Sequence, residues 1–379
     1  MPSGVRGQAG SALQEQSDRK HVNGDATMMK MKRLVLLTGL VGLAAAASVA
    51  SAETLRLLTW SDLAPEALVQ KFRQETGIEV QVTLSNNEDI ISRLRATGGA
   101  GFDLAQPSHD RIVGPQADFR IYKPLDLSRV KLSQFTPGLL EATKASTTIA
   151  GKVYALPFTW GTLGVLTNHA KAPKVSSIAD LCADAYKGRV AMRIRRPALM
   201  LMAFAHGDDP FAAYGEPDKY QAIIDRAGQR LAACKAHVKA YWNNSDDLLN
   251  MMRSGEIVAT EGWDSHAFKL QGEGMDIGYD KNPLGWINTF VLPAKGRADG
   301  AAYQWIDFVM RPENAALIMQ SSSNMTASVG AQDVAPEKLR QSLQRIYSPQ
   351  AIASIRWFPQ IPAGLELREG KVLDRVAAQ

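Results

Sequence analysis

The chain has 379 residues, room for two domains of ordinary size, and its 45% hydrophobic and 21% charged content describes a folded globular protein. The formal charge is +5, but beyond residue 52 the balance is 37 basic against 35 acidic residues, with no basic stripe. Nucleic acid is thereby excluded as an expected partner.

Met1 to Thr27 is polar and unpatterned, and fits an over-extended start or a disordered leader. Met28 to Arg33 (MMKMKR) is a basic segment, Leu34 to Ala47 an apolar one, and Ala50-Ser51-Ala52 a small-x-small cleavage site. The apolar run is short for a membrane span, and no cysteine follows it for lipid attachment. The expectation is a signal peptide cleaved after Ala52 and a periplasmic protein beginning at Glu53.

Leu55 to Leu58 and Ile78 to Leu84 alternate as strands around a helix from Pro65 to Glu75, closed by Gly77. A second helix, Glu88 to Thr97, stops at Gly98-Gly99, and Phe102 to Ala105 is a short strand ending in Gln106-Pro107-Ser108-His109-Asp110. Leu125 to Leu127 and Gln134 to Leu140 have no clear pattern. Tyr154 to Leu166 is extended, uncharged and glycine-containing, which suits either a core strand pair or a crossing between domains. A separate αβ unit follows, with helices at Ser177–Ala185, Leu199–His206, Lys219–Ala233 and Ser245–Ser254. Its strands are Gly188–Ile194, Val238–Asn244, Val258–Asp264 and Met275–Tyr279. Trp286 to Pro293 repeats the character of the first crossing, and Ala301–Met310, Glu313–Met319 and the region from Pro336, broken at Pro359, are helical. The chain thus passes from one lobe to another and back. The divisions are 1–52 leader and signal peptide, 53–160 and 286–340 the first lobe, 161–285 the second, and 341–379 a C-terminal helical segment closing on both.

The two cysteines, Cys182 and Cys234, form a disulfide in an oxidising compartment, with two buried thiols as the alternative. No CxxC, HExxH or clustered His/Cys spacing calls for a metal, and nothing calls for a cofactor. Nucleophile-elbow, phosphate-loop and dinucleotide motifs are absent as well. Ser108, His109 and Asp110 are adjacent, and neighbours in sequence rarely converge on one reacting atom, so no enzyme is expected. A secreted hydrolase using Asp62 with Asp110 or Asp264 is the remote alternative. Trp60 with Ser61 and Asp62, Trp242 with Asn243 and Asn244, Trp263 with Asp264, and Trp286 with Asn288 all pair an aromatic with a polar group at a strand end or crossing. Such pairs can wall a small solute, with the planes on its stem and the carboxylates and amides on its ends. Arg195 follows a strand and precedes Pro197 at a helix start, where a guanidinium can clamp a carboxylate.

Several segments carry a family resemblance: LTWSDLAPEALVQKFRQETGIEV (58–80), FDLAQPS (102–108), YALPFTWGTLGVLTN (154–168), DAYKGRV (184–190), EGWDSHAF (261–268), WINTFVLPAKG (286–296) and YQWIDFVMRPENAA (303–316). Over nearly the whole chain beyond residue 52 it resembles the spermidine/putrescine-binding group of periplasmic solute-binding proteins of ABC importers. The resemblance implies an α/β, two-lobed (type II) periplasmic binding protein fold, each lobe a mixed sheet flanked by helices, with two hinge crossings and closure on the ligand. It implies a monomer that delivers a small polar solute to an inner-membrane ABC permease. It carries ligand-wall roles to Trp60, Asp62, Ser108, His109, Asp110, Trp263 and Trp286; Ser61, Trp160, Trp242 and Asn244 complete the candidate wall. The sequence departs from polyamine binders at Asn288 and at Arg195 and Ala198, where that group has acids. The expected solute therefore carries a carboxylate, an amine or both, as γ-aminobutyrate does, with Arg195 on the anion and Asp62 or Asp264 on the amine. A conventional polyamine binder is the alternative.

Overall fold

The computed structural model describes residues 53–279, 283–347, 350 and 354–379; the leader and signal peptide expected at 1–52 lie outside the described residues. The chain begins as a βαβ unit, β1 (Thr54–Thr59) parallel to β2 (Glu79–Leu84) across α1 (Glu66–Thr76). α1 ends because Gly77 takes the left-handed conformation (φ 73°) and its N–H closes on Arg73 O, a geometry a side chain would strain. α2 (Asn87–Thr97) starts where Asn86 Oδ1 accepts from Asp89 N, and β3 (Leu104–Ala105) pairs with the free edge of β1. The sheet order β2-β1-β3 places the strand ends Thr59 and Ala105 side by side, so Trp60–Asp62 and Gln106–Asp110 emerge at one rim. A 3-10 turn (His109–Arg111), α3 (Val113–Phe119), β4 (Tyr122–Lys123), α4 (Pro137–Ser146) and the pair β5 (Thr148–Ile149) and β6 (Lys152–Val153) continue the first lobe. The two stretches without a clear pattern are 3-10 turns, Leu127–Arg129 and Leu132–Gln134, running into α4.

β7 (Leu156–Asn168) is buried at all 13 positions, which explains why the segment tolerates no charge. The second lobe follows: β8 (Val190–Met192), α5 (Arg196–Ala205), α6 (Pro217–Cys234), β9 (Val238–Tyr241), α7 (Ser245–Ser254), β10 (Ala259–Trp263), α8 (Asp264–Gly272) and β11 (Ile277–Tyr279). The helix expected at Ser177–Ala185 is instead two 3-10 turns, Ile178–Cys182 and Asp184–Tyr186. Asp180 Oδ2 accepts from the backbone of Ser176 and Ser177 there, and such local bonds compete with a longer helix. Cys182 is disulfide-bonded to Cys234 at the end of α6, with Cα atoms 4.9 Å apart.

The return path is β12 (Leu284–Phe290), β13 (Leu292–Pro293), α9 (Asp299–Val309), α10 (Pro312–Ser322), β14 (Met325–Thr326), α11 (Ala331–Val334), α12 (Glu337–Ile346), β15 (Arg356–Trp357) and α13 (Leu365–Ala378). The large mixed sheet runs β15-β12-β7-β10-β8-β9, and β11 and β14 also pair with β7. β12 lies antiparallel to β7 from Leu284↔Leu163 to Phe290↔Leu156, so the two crossings are hydrogen-bonded to each other. Their register shifts between Ile287 and Thr289, and the irregularity falls on Asn288, which bridges to Ser108 of the first lobe.

Each lobe has its own core. In the first, Phe72 packs edge-on against Trp305 and Phe308, with centroids 5.0 and 5.1 Å apart. In the second, Val190, Met192, Leu199, Ile224 and Leu231 pack with Leu365, Val372 and Val376 of α13. Each of those three α13 side chains is buried, an effect of about 1.5–3 kcal/mol per residue. The last helix is thus part of the second lobe's core although the chain has already returned through β12.

Candidate functional site

A cavity of about 390 Å³ opens between the two groups of strand ends. On the first-lobe side, Trp60 presents its face because its indole N–H is fixed on Gln106 O at 2.9 Å. Ser108 sits at the centre of an amide and hydroxyl chain. Asn87 Nδ2 donates to Ser108 Oγ (2.9 Å), Ser108 Oγ donates to Asn288 Oδ1 (3.1 Å), and Asn288 Nδ2 donates to Thr159 Oγ1 (3.3 Å). Asp62 holds a positive φ of 67°, and its carboxylate lies 3.6 Å from Lys269 of α8.

The second-lobe side is cationic and aromatic. Arg193 leaves the end of β8, and its guanidinium lies 5.3 Å from the ring centroids of both Trp242 and Trp263. Arg195 is the exposed N-cap residue of α5. Residues at the N-termini of α2, α5, α7 and α8 all line the cavity, so four partial positive ends converge on it. His266, in the first turn of α8, is 1% exposed; Nδ1 accepts from Trp263 N at 3.3 Å and Nε2 lies 3.0 Å from Ser245 Oγ. Burial, with Lys269 and Arg193 nearby, lowers its pKa to about 3. A folded-state value below the unfolded value of about 6.5 stabilises the fold above that pH and loses the contribution as pH falls toward 3. A His266→Gln chain is accordingly expected to lose less melting temperature than wild type between pH 6.5 and pH 4, read by circular dichroism melts across that range.

The charges around the cavity do not balance. Among the described residues, Asp62 pairs with Lys269 (3.6 Å), Asp110 with Arg196 (3.0 Å) and Glu88 with Arg111 (3.6 Å), which accounts for the lining carboxylates. Arg193 and Arg195 have no carboxylate within ion-pair distance among the described residues, and Arg193 Nε is buried without a hydrogen-bond partner there. Glu261 Oε1 accepts from the backbone N of Arg193 at 2.6 Å, but burial raises the Glu261 carboxyl well above its usual range. That burial weakens Glu261 as a counter-ion, and although Glu88 and Glu261 both attract the guanidinium, the cost of its own burial outweighs them.

Beneath the cavity lies a buried ionic network. Arg196, 4% exposed, donates from Nη1 to Asp110 Oδ2 (3.0 Å) and from Nη2 to Tyr214 Oη. Its Nε lies 2.8 Å from Glu369 Oε2, an ion pair off the hydrogen-bond direction, and its guanidinium covers the Phe358 ring at 4.8 Å. Burial alone would weaken its hold on the proton; Glu369, Tyr214 and Asp110 overcome this and hold its pKa well above the ordinary value. Tyr220 Oη donates to Glu369 Oε1, and Arg111 contacts Glu366. α13 is thereby joined to the turn after β3 and to α5 and α6 at once.

Of the residues singled out in the sequence, Trp60, Ser61, Asp62, Ser108, Asp110, Arg195, Asn244, Trp263, Trp286 and Asn288 line the cavity. Four do not. His109 is 6% exposed, with its backbone O accepting from Gln360 Nε2. Trp160 packs on Tyr347 and Trp357, at 5.1 and 5.9 Å, away from the cavity. Trp242 is 1% exposed and lies behind Trp263, at 5.4 Å. Asp264 turns inward, where its oxygens accept from Thr162 N (2.9 Å), Ser265 N (2.8 Å) and Tyr347 Oη, and burial raises its pKa to about 6. It is 1% exposed and off the cavity lining, so it does not face a ligand amine there. Asp264 and Trp286 also crowd Gly161. A Cβ there would lie 2.7 Å from Trp286 Cζ2 and 2.9 Å from Asp264 Oδ1. Gly161→Ala is expected to cost about 1–3 kcal/mol in urea unfolding and to shift tryptophan emission.

The candidate wall read from the sequence left out Arg193, Arg196, Lys269, His266, Ser245 and residues 85–88 at the start of α2, all of which line the cavity. The signal for Arg193 was present, since it is the first polar residue after an apolar strand in the run MRIRR. For the others, no local pattern distinguishes them from ordinary helix caps and loop residues.

A family model described as bacterial extracellular solute-binding protein matches residues 67–341. The spermidine/putrescine-binding periplasmic protein 1 of Haemophilus influenzae is 25% identical over 86% of this chain and 89% of its own. Among solved structures, a putative spermidine/putrescine ABC transporter from Listeria monocytogenes superposes with a TM-score of 0.75 at 20% identity, covering 86% of this chain and 99% of its own. A GABA receptor superposes with a TM-score of 0.65 at 16% identity, covering 86% and 96%.

Proposed function

Since the chain belongs to the bacterial extracellular solute-binding protein family, we propose that it captures a small carboxylate-bearing solute between its lobes in the periplasm and delivers it to an inner-membrane ABC permease. The observation that carries this reading is Arg193, a permanent cation in the cavity wall that stacks on Trp242 and Trp263 and makes no ion pair among the described residues. Arg195 and the N-termini of α5, α7 and α8 add to the same positive field. A polyamine has no group that accepts a hydrogen bond from a guanidinium, and it would bring like charge against Arg193. The curated relatives named for spermidine and putrescine support the transport role, and the GABA receptor shows that this fold also accommodates an amino acid.

Ligand closes the cleft by bridging both walls, so binding and closure are one equilibrium. Calorimetry of the chain from Glu53 onward against spermidine, putrescine, γ-aminobutyrate and simple carboxylic acids tests the reading. Carboxylates are expected to bind about a hundredfold more tightly than either polyamine, with affinity falling as salt rises. Polyamine binding tighter than that of every carboxylate would overturn it.

A further inference from the structure

The wall opposite the arginines carries chemistry that an anion site alone does not need. We propose that the solute is an oxygen-rich carboxylic acid, a sugar acid or polyol-bearing acid, whose hydroxyls face the first lobe; this rests on the carboxylate reading above. On this wall Ser61, Ser85, Asn87, Ser108, Asn288 and Asn324 set hydroxyls and amides beside Asp62, Glu88 and Asp110, whose charges are each already paired with a cation of the protein. The chain Asn87–Ser108–Asn288–Thr159 has a single direction of donation, and it uses one N–H of each amide. Each of these amides keeps a second N–H in an orientation fixed by the chain, and a hydroxyl oxygen satisfies it. An ammonium group cannot.

Two further groups point the same way. Trp286 and Ser85 both line the cavity, and among the described residues the buried indole Nε1–H of Trp286 and the buried Oγ of Ser85 have no hydrogen-bond partner. The indole can only donate, so it calls for an acceptor oxygen; Ser85 takes a hydroxyl in either role. The carboxylate is already drawn to Arg193 and Arg195 on the other wall, which leaves hydroxyl oxygens as the match. The faces of Trp60 and Trp263 suit the C–H surface of a ring or polyol, and Trp60 offers only its face because its N–H is held by Gln106 O. A cavity of about 390 Å³ is also roomier than a four-carbon amino acid requires.

Calorimetry with two six-carbon acids, gluconate and hexanoate, and with spermidine tests this, using the full chain from Glu53 onward. Gluconate is expected to bind at least about tenfold more tightly than hexanoate, the scale of one or two satisfied hydrogen bonds. Trp286→Phe and Ser85→Ala, each checked for a native melt, are expected to reduce that preference ratio by about fivefold. Equal or tighter binding of hexanoate overturns the oxygen-rich class and leaves the carboxylate reading standing. Binding of spermidine with neither acid overturns both, and binding of none of the three overturns the hydroxylated class. An unchanged preference ratio in both variants removes the first-lobe wall from recognition and overturns the assignment.

Discussion

A chain with methionine at position 196 is expected to lose about 3–5 kcal/mol of stability, a large part of what holds a domain of this kind together. Arg196 is 4% exposed and bridges Asp110, Glu369 and Tyr214. Methionine fills the space against Phe358 but leaves buried Glu369 without its cation and Asp110 with only Arg111, 3.7 Å away. The cost comes from that stranded charge, since an intact buried ion pair adds little net stability over an apolar replacement. A second substitution therefore separates the two contributions: Arg196→Met with Glu369→Met is expected to recover most of the loss. Urea unfolding of the single and double variants makes the comparison. A single variant that unfolds with wild type would show that the network is not coupled to the fold. Because Arg196 opens the helix whose N-terminus lines the cavity, ligand affinity in the single variant is also expected to fall.

The architecture was legible where burial leaves a local mark. β7 is uncharged because every residue in it is inside, and α1 stops at Gly77 because only a left-handed residue ends it there. The strand ends that carry Trp60, Ser108 and Trp263 were legible for a related reason, since apolar alternation breaks into polar residues where a strand leaves its sheet. What alternation does not give is direction. Asp264 and Trp263 are neighbours at one strand end, yet one turns to Thr162 and Tyr347 while the other faces the cavity. Trp160 lies on a crossing as Trp286 does, but its ring packs on Tyr347 and Trp357, contacts made by a segment some two hundred residues later. The place of α13 in the second lobe's core depends on equally distant partners, and no periodicity within 365–378 reveals them.

The same limit explains why Arg195, and not Arg193, drew attention first, and the second large effect follows from the difference. The chain turns after β8, with Arg195 N donating to Arg193 O at 2.9 Å, and this turn sends the two side chains to different depths. Arg195 is exposed, so its charge is screened by water and salt. Arg193 is largely buried against Trp242 and Trp263, where a charge–charge contact with ligand is worth several times more. Arg193→Met keeps an aliphatic stem between the two indoles and removes the cation. It is expected to weaken carboxylate binding by about a hundredfold, or roughly 3 kcal/mol, while Arg195→Met costs tenfold or less. Lysine at 193 is expected not to rescue, because it cannot reproduce a planar paired donor stacked on indole. Stability should hold or rise in Arg193→Met, since the burial of that charge outweighs the attraction of Glu88 and Glu261 for it. Calorimetric titration of the three variants with one carboxylate ligand, alongside their melts, decides the matter: a loss confined to Arg195→Met would return the anion site to the exposed residue.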